Sequence, residues 1–479
     1  MSVRVLDARL RGGLVEARIP FRFGIAEMNE LIHVVLFATV DIDGVHGLGV
    51  AADNLSPKWF TKNPETSYRD DVGEMIRVIE SACSIALECG STESVFELWH
   101  EVHYEQASRG APDVAPLLAG FGVSLVERAT IDAFCRLKEI SFAEAVRENE
   151  LGIRLGDLHA TLSDRDPREF LPRRPLSRMR IRHTVGLSDS LVGGESAGTS
   201  ADDLPATLEA CVREYGLRRF KLKVSGNRQF DLDRLGRIRE VLDRETQGDY
   251  RITLDGNEQF VDVSALRAFW EDVTASRGTA ELTRRIDYVE QPLPRDLALS
   301  ADTSAGLAEW PERPRLIIDE SDDSLDAVAR AVEAGYDGGS FKSSKGVFKG
   351  IGNACRLQQL RQEDPRRGFI YSAEDNSTIG PVGLLADLAA IATLGIDEPE
   401  RNGHHYLRPF AGLSGRVHEE TLRHHGDLFS RHTDGSAVVR IRDGTIDIRS
   451  VVAAPFGVGW SCDLEQELDS VDALVAAII

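Results

Sequence analysis

Five short apolar runs, FKLKV at 220–224, ITLDGN at 252–257, YVEQP at 288–292, LIIDES at 316–321 and FKSSK at 341–345, each deliver a Lys, Asp or Glu where the apolar stretch stops. A strand buried on both faces in a parallel sheet reads as such a run, because neither face meets water. Lys221, Asp255, Glu290, Asp319 and Lys342 follow one another at intervals of 34, 35, 29 and 23 residues. Each interval holds a strand, a helix and two loops, which is the rhythm of consecutive βα units. After Asp319, Ser324 stands as an N-cap, Leu325, Val328, Ala329 and Val332 recur at helical spacing, and Gly335 marks the stop. A further strand, GFIYSAED at 368–375, precedes Pro381 and a helical pattern of Leu384, Leu388 and Ile391 that ends at Gly395. With RIRHTVGL at 180–187 before the series and HHYLRPF at 404–410 after it, the pattern predicts a TIM-type (β/α) barrel of seven to eight strands.

The flanks have a different texture. Residues 32–40 and 44–51 read as strands around IDGVHG, and 72–88 and 124–140 as helices, an α+β pattern. VVRIRDGTIDIRS at 438–450 alternates like a hairpin about Asp443-Gly444. The expected organisation is a capping domain with its linker over 1–177, the barrel over 178–430, and a tail over 431–479 that returns to the cap.

Charge and composition narrow the partners. A net charge of −22 opposes binding to nucleic acid, whose phosphates such a surface repels. The apolar segment at 31–40 is half the roughly 20 residues that cross a bilayer, and Arg4, Asp7, Arg9 and Arg11 interrupt the start, so no membrane span or secretory signal is expected and the expected location is cytoplasmic. Six cysteines without a CxxC pair argue against a zinc site and read as small buried apolar groups. The basic stretch from Arg165 to Arg182 reads as a solvated linker into the barrel.

Small molecules are the better partners, and the strand ends say what kind. Asp255, Glu290 and Asp319 end three successive strands, and in a parallel barrel those ends converge on one face. Three carboxylates there call for a hard divalent cation with oxygen ligands: Mg²⁺ fits best, and Mn²⁺ takes the same donors. Lys221 and Lys223, two apart on one strand, share a face, and their repulsion is expected to depress at least one pKa toward the range of a base. Lys342 arrives from across the barrel as a second proton carrier.

These motifs, KxK at Lys221 and Lys223, DxN at Asp255 and Asn257, EQP from Glu290, DES from Asp319 and the lysine at 342, resemble the enolase superfamily, in particular its muconate-lactonizing and dipeptide-epimerase branch within the mandelate racemase/muconate lactonizing enzyme family. The resemblance implies that Asp255, Glu290 and Asp319 bind Mg²⁺, which stabilises an enediolate formed by removing the proton α to a substrate carboxylate. It assigns Lys223 and Lys342 as base and acid on opposite faces, with Lys221 assisting electrostatically. KSSKGVFKG departs from the family pattern and makes Lys345 a competitor of Lys342. Asn257, Glu320, Lys345 and Glu374 are candidates for substrate binding or support of the ligands, His404 and His405 lie near the mouth of the expected eighth strand, and Phe21, Phe23 and Glu27 fall in a cap loop that the resemblance places over the barrel. NGHHYLRP lacks the paired aspartates with which dipeptide epimerases hold an ammonium group. The expectation is an isomerase or lyase acting on a small carboxylate, with a homo-oligomer compatible; the alternative is a noncatalytic metal-dependent carboxylate-binding or regulatory protein of the same fold.

Overall fold

The computed structural model describes residues 1–23, 26–110, 114–194, 202–408, 413–461 and 464–477. The N-terminal part is an antiparallel meander, β1 (Val3–Phe23), β2 (Ala26–Ile42) and β3 (Val45–Asn54). The β2–β3 turn falls at Asp43-Gly44, both with positive φ, as a two-residue hairpin turn requires. Three helices, α1 (Tyr68–Glu88), α2 (Val95–Gly110) and α3 (Pro116–Lys138), pack beside it. Contact between α3 and β3 is set by a missing side chain: a Cβ on Gly49 would lie 1.8 Å from the Ala129 carbonyl oxygen.

The barrel runs through β4 (Arg182–Val185), β5 (Arg219–Lys223), β6 (Arg251–Asp255), β7 (Ile286–Glu290), β8 (Leu316–Ile317), β9 (Gly338–Phe341) and β10 (Ile370–Ala373), with parallel pairing from β4 to β8 and between β9 and β10. A parallel bridge between Ile318 and Gly339 joins the two groups. The ring closes through an eighth position that is barely a strand. Glu400 N–H donates to Ala373 O at 2.9 Å, Arg182 N–H to Pro399 O at 3.0 Å, and Arg401 N–H to Arg182 O at 3.1 Å.

That closure corrects the expected eighth strand at 404–410. Gly403–Tyr406 is a helical turn, Leu407 bridges to Ala17 of β1, and 409–410 fall outside the described residues. Tyr406 and Leu407 are buried, which gave the segment its apolar signal, but they pack with Ile19 and Phe21 of β1. The helices between strands are α4 (Leu208–Tyr215), α5 (Arg228–Thr246), α6 (Val263–Ala275), α7 (Ala301–Ala308), α8 (Ala327–Glu333), α9 (Val347–Glu363) and α10 (Val382–Leu394). Two expected stops hold, with positive φ at Gly335 and Gly395. The expected cap Ser324 instead donates to Asp326, and α8 starts three residues later.

The expected hairpin about Asp443-Gly444 keeps its turn, with Arg442 and Thr445 exchanging backbone hydrogen bonds, but not its pairing. Ala437–Val439 pairs with Phe429–Arg431, and Thr445–Asp447 with Arg178–Arg180 at the barrel entrance. The short strand Asp469–Ser470 pairs with Arg11 and Gly12 of β1.

One buried carboxyl ties α3 to the barrel. Glu127 accepts from the backbone N–H groups of Val347 at 2.9 Å and Phe348 at 2.6 Å, where α9 begins and the helix dipole favours an anion. Burial pushes its pKa up to about 7, against the pull of those two donors. The folded protein therefore binds this proton more tightly than the unfolded chain, whose value is near 4.5. The resulting stabilisation is full below pH 4.5 and is lost as pH rises through 7. Glu127→Gln leaves one N–H facing an amide NH₂ and costs about 1–3 kcal/mol at pH 5. The gap between variant and wild type, read from urea midpoints, is expected to narrow toward pH 8; a gap that is flat across this range contradicts the assignment.

Candidate active site

Each strand delivers its charged residue at the same end of the ring. Lys221 and Lys223 lie on β5, Asp255 and Glu290 are the last residues of β6 and β7, and Asp319 follows β8 by two residues. Lys342 and Glu374 directly follow β9 and β10, and Glu400 holds the eighth position. The apolar neighbours Leu222, Leu254 and Val289 are buried in the hydrophobic core, so strand alternation sends the charges the other way. In an eight-position ring β5 is second and β9 sixth, which sets Lys223 and Lys342 diametrically across from each other.

Lys221 sits among four carboxylates: its Nζ is 2.9 Å from Asp255 Oδ2, 2.9 Å from Glu290 Oε2, 2.7 Å from Glu374 Oε2 and 3.0 Å from Glu400 Oε2. Burial alone would lower its pKa, yet these four anions together raise it well above the ordinary lysine value. The expected depression by Lys223 is therefore overturned at Lys221, because one like charge is outweighed by four opposite ones. Lys223 Nζ donates to Asp255 Oδ2 at 2.6 Å and Asn257 Oδ1 at 2.7 Å. Asn257 in turn donates to Glu320 at 3.0 Å.

Across the ring, Lys342 and Lys345 both meet Asp319, but differently. Lys345 Nζ is enclosed by Ser340 O at 2.7 Å, Ser340 Oγ at 3.0 Å, Asp319 Oδ1 at 3.1 Å and Asp322 Oδ2 at 3.2 Å. Its donors are spent on the turn after β9. Lys342 Nζ bonds Asp319 Oδ2 at 2.7 Å and otherwise faces the ring of Trp59, 3.8 Å from its centre. Burial opposes ionisation of Asp319, and Lys342 and Lys345 outweigh it, holding that carboxyl well below the usual range.

Glu374 is committed to Lys221 and, at 2.5 Å, to Arg182. Arg182 corrects the reading of the basic stretch as wholly solvated: it is 3% exposed and reaches into the barrel to Thr253 and Ser372. His404 and His405 do not reach the mouth. His405 packs its ring 4.7 Å from that of His183, whose neighbours Arg182 and Thr184 take the inward face of β4.

The cap closes the site. Phe21 lies 6.0 Å from Lys223 Nζ, Trp59 covers Lys342, and Lys62 donates to Asn257 O at 2.6 Å and pairs with Glu258. The side chains of Phe23 and Glu27 lie outside the described residues. A cleft of about 460 Å³ opens at the other end of the barrel, lined by the strand starts Arg219, Arg251 and Ile370, away from these charges. Glu400, Arg182, Trp59 and Lys62 were not legible as site residues. A single-residue strand gives no apolar run, and Trp59 and Lys62 meet the barrel only through the fold.

The donor set suits a hard cation. Glu290 Oε2 is buried against the Lys221 ammonium, 2.9 Å away, and burial together with Asp255 and Glu374 raises its carboxyl well above the ordinary value. A divalent ion relieves that repulsion. The three carboxylates are spread, with Lys221 between Asp255 and Glu290. Among the described residues, the group of His, Cys, Asp or Glu side chains whose ligand atoms all lie within 4.8 Å of one another is His183, Cys211 and His405. No helix of the described residues is long and apolar enough to cross a membrane.

No family model and no curated protein matches the sequence. Solved structures do match in fold. The muconate lactonizing enzyme from Pseudomonas fluorescens complexed with muconolactone is 15% identical over 97% of this chain and 99% of its own, with a TM-score of 0.61. An enolase from Bradyrhizobium complexed with magnesium and mandelic acid is 15% identical over 98% and 99%, at 0.57. The N-succinyl Arg/Lys racemase from Bacillus cereus is 14% identical over 94% and 97%, at 0.56. The chain therefore has the capped-barrel fold of these proteins.

Proposed function

We propose that this chain, built on the fold of the muconate lactonizing enzymes, is an Mg²⁺-dependent isomerase or lyase of the enolase superfamily that removes the proton α to a substrate carboxylate. The observation that carries the reading is the order around the ring: a lysine on β5, carboxylates at the next three strand ends, and a lysine after β9, directly opposite the first. Asp255, Glu290 and Asp319 would hold the cation, which when bound neutralises the charge that builds on the substrate carboxylate as the proton leaves. Lys223 Nζ takes the proton from one face of the α carbon, and Lys342 Nζ delivers one to the other. Racemisation or epimerisation uses both; cycloisomerisation or syn-elimination needs one. Lys221, held charged by its four carboxylates, keeps its proton and fixes the ligands in place. Asn257 positions Lys223, and Glu320 orients Asn257.

The test is α-carbon deuterium uptake from D₂O, followed by NMR over a panel of small carboxylates with Mg²⁺ and with chelator. Exchange that requires the metal supports the reading. A protein that binds Mg²⁺ and carboxylates yet exchanges none of them is a noncatalytic carboxylate-binding protein on the same fold.

A further inference from the structure

The wall of the barrel carries a second constellation, on the face of β4 turned away from the lysines. His183 projects outward between Arg182 and Thr184, whose side chains bond into the barrel. Cys211 comes from α4, and His405 from the helical turn Gly403–Tyr406. All three are buried, at 1%, 0% and 3% exposure. Cys211 Sγ lies 3.7 Å from His405 Nδ1, and the ligand atoms of the three residues fall within 4.8 Å of one another. Tetrahedral zinc, with bonds of about 2.0–2.3 Å, separates its ligands by about 3.4–3.7 Å.

A second, independent observation is the cost of leaving the cluster empty. His183 Nδ1, Asp189 Oδ1 and His404 Nε2 are all buried without a hydrogen-bond partner among the described residues, and such groups are seldom abandoned in a protein interior. Asp189 Oδ2, which accepts from the Tyr406 hydroxyl and the Gly186 N–H at 2.7 Å each, lies 3.9 Å from His405 Nε2, beyond hydrogen-bond reach. His404 stands outside this group of three, its ring 6.2 Å from that of His183.

We infer that His183, Cys211 and His405 form a binding site for a borderline-soft divalent cation of the zinc type, separate from the carboxylate site inside the barrel. Binding breaks the Cys211 S–H bond, sends that proton to solvent and forms a metal–thiolate bond, while both imidazoles donate a lone pair. Burial favours the imidazole side of the balance: it holds His183 down to about 4 and His405 well below its ordinary value, so both are neutral ligands. The same burial keeps the thiol protonated until a cation displaces the proton, raising it to about 12. Arg18, which donates to the His405 carbonyl, is neutralised by Asp202 at 3.0 Å and does not leave a bare cation beside the site.

The probe is Co²⁺ added to the full chain in excess Mg²⁺, which occupies the carboxylate site. The expected result is a thiolate-to-cobalt charge-transfer band that saturates at one equivalent and that Zn²⁺ abolishes by competition. Cys211→Ser removes the band, and Asp319→Asn leaves the band intact. Absence of the band in the unaltered protein overturns the inference, and so does its survival in Cys211→Ser, which would assign it to another thiol. If Cys211→Ser does not fold, His405→Gln serves in its place, and the wild-type titration decides by itself.

Discussion

Lys342→Ala is expected to lower turnover by about 10²–10⁴-fold on any substrate whose reaction draws on the face it serves, the usual contribution of a positioned acid or base. The sequence left Lys345 as a rival, and the two predict opposite signatures. Lys342 bonds Asp319 and otherwise, among the described residues, faces an aromatic ring, so its removal takes away the proposed proton carrier while Asp319 keeps Lys345. Lys345 bridges Asp319, Ser340 and Asp322 within the turn after β9. Lys345→Ala leaves Asp319 to Lys342 and Asp322 to Lys349 but removes the donor that Ser340 O shares with both carboxylates, and is expected to cost about 1–3 kcal/mol of stability. Stereospecific exchange separates the faces: if both lysines act, Lys342→Ala and Lys223→Ala each retain exchange with one enantiomer only. Equal loss of melting temperature in Lys342→Ala and Lys345→Ala, with turnover preserved in the former, would move the chemistry off Lys342.

The second large effect belongs to Lys221. Its ammonium is the shared counterion of Asp255, Glu290, Glu374 and Glu400, all essentially excluded from solvent. Lys221→Met fits the volume but leaves those anions facing one another, and about 3–5 kcal/mol is the expected loss in metal-free buffer. Mg²⁺ should return part of it, since a divalent ion at Asp255 and Glu290 supplies the missing charge. Chemical denaturation with and without Mg²⁺ measures both quantities. A variant as stable as wild type without metal would mean that the carboxylates take up protons cheaply and that Lys221 is dispensable to the fold.

Much of the scaffold was legible because of one physical rule. A strand covered on both faces has to be apolar, and its charge can appear only where it emerges, so FKLKV, ITLDGN, YVEQP, LIIDES and FKSSK announced the strands and the charged ends that the fold gathers on one face. The rule fails where the strand shrinks. At Glu400 one residue pairs on both sides, too little to leave a pattern, while the buried Tyr406 and Leu407 imitated one nearby. β1 went unread for another reason: a bulge between Val5 and Asp7 breaks the alternation that Val3 and Val5 begin, and Val15 packs in a separate cluster with Ile19 and Phe21. Pairing partners in the tail, the cap residues over the lysines and the cluster at Cys211 all depend on contacts between distant segments, which no local periodicity encodes.

Trp59, resting on Lys342, gives the closed protein an internal competitor. If a ligand must displace that ring to reach Lys342, its apparent affinity is the intrinsic one reduced by the fraction of molecules in which the ring has moved aside. An ammonium on an aromatic face is worth about 0.5–2 kcal/mol, so the discount is modest but selective. Molecules that bring their own π-face to the same ammonium recover what opening costs, and saturated ones do not.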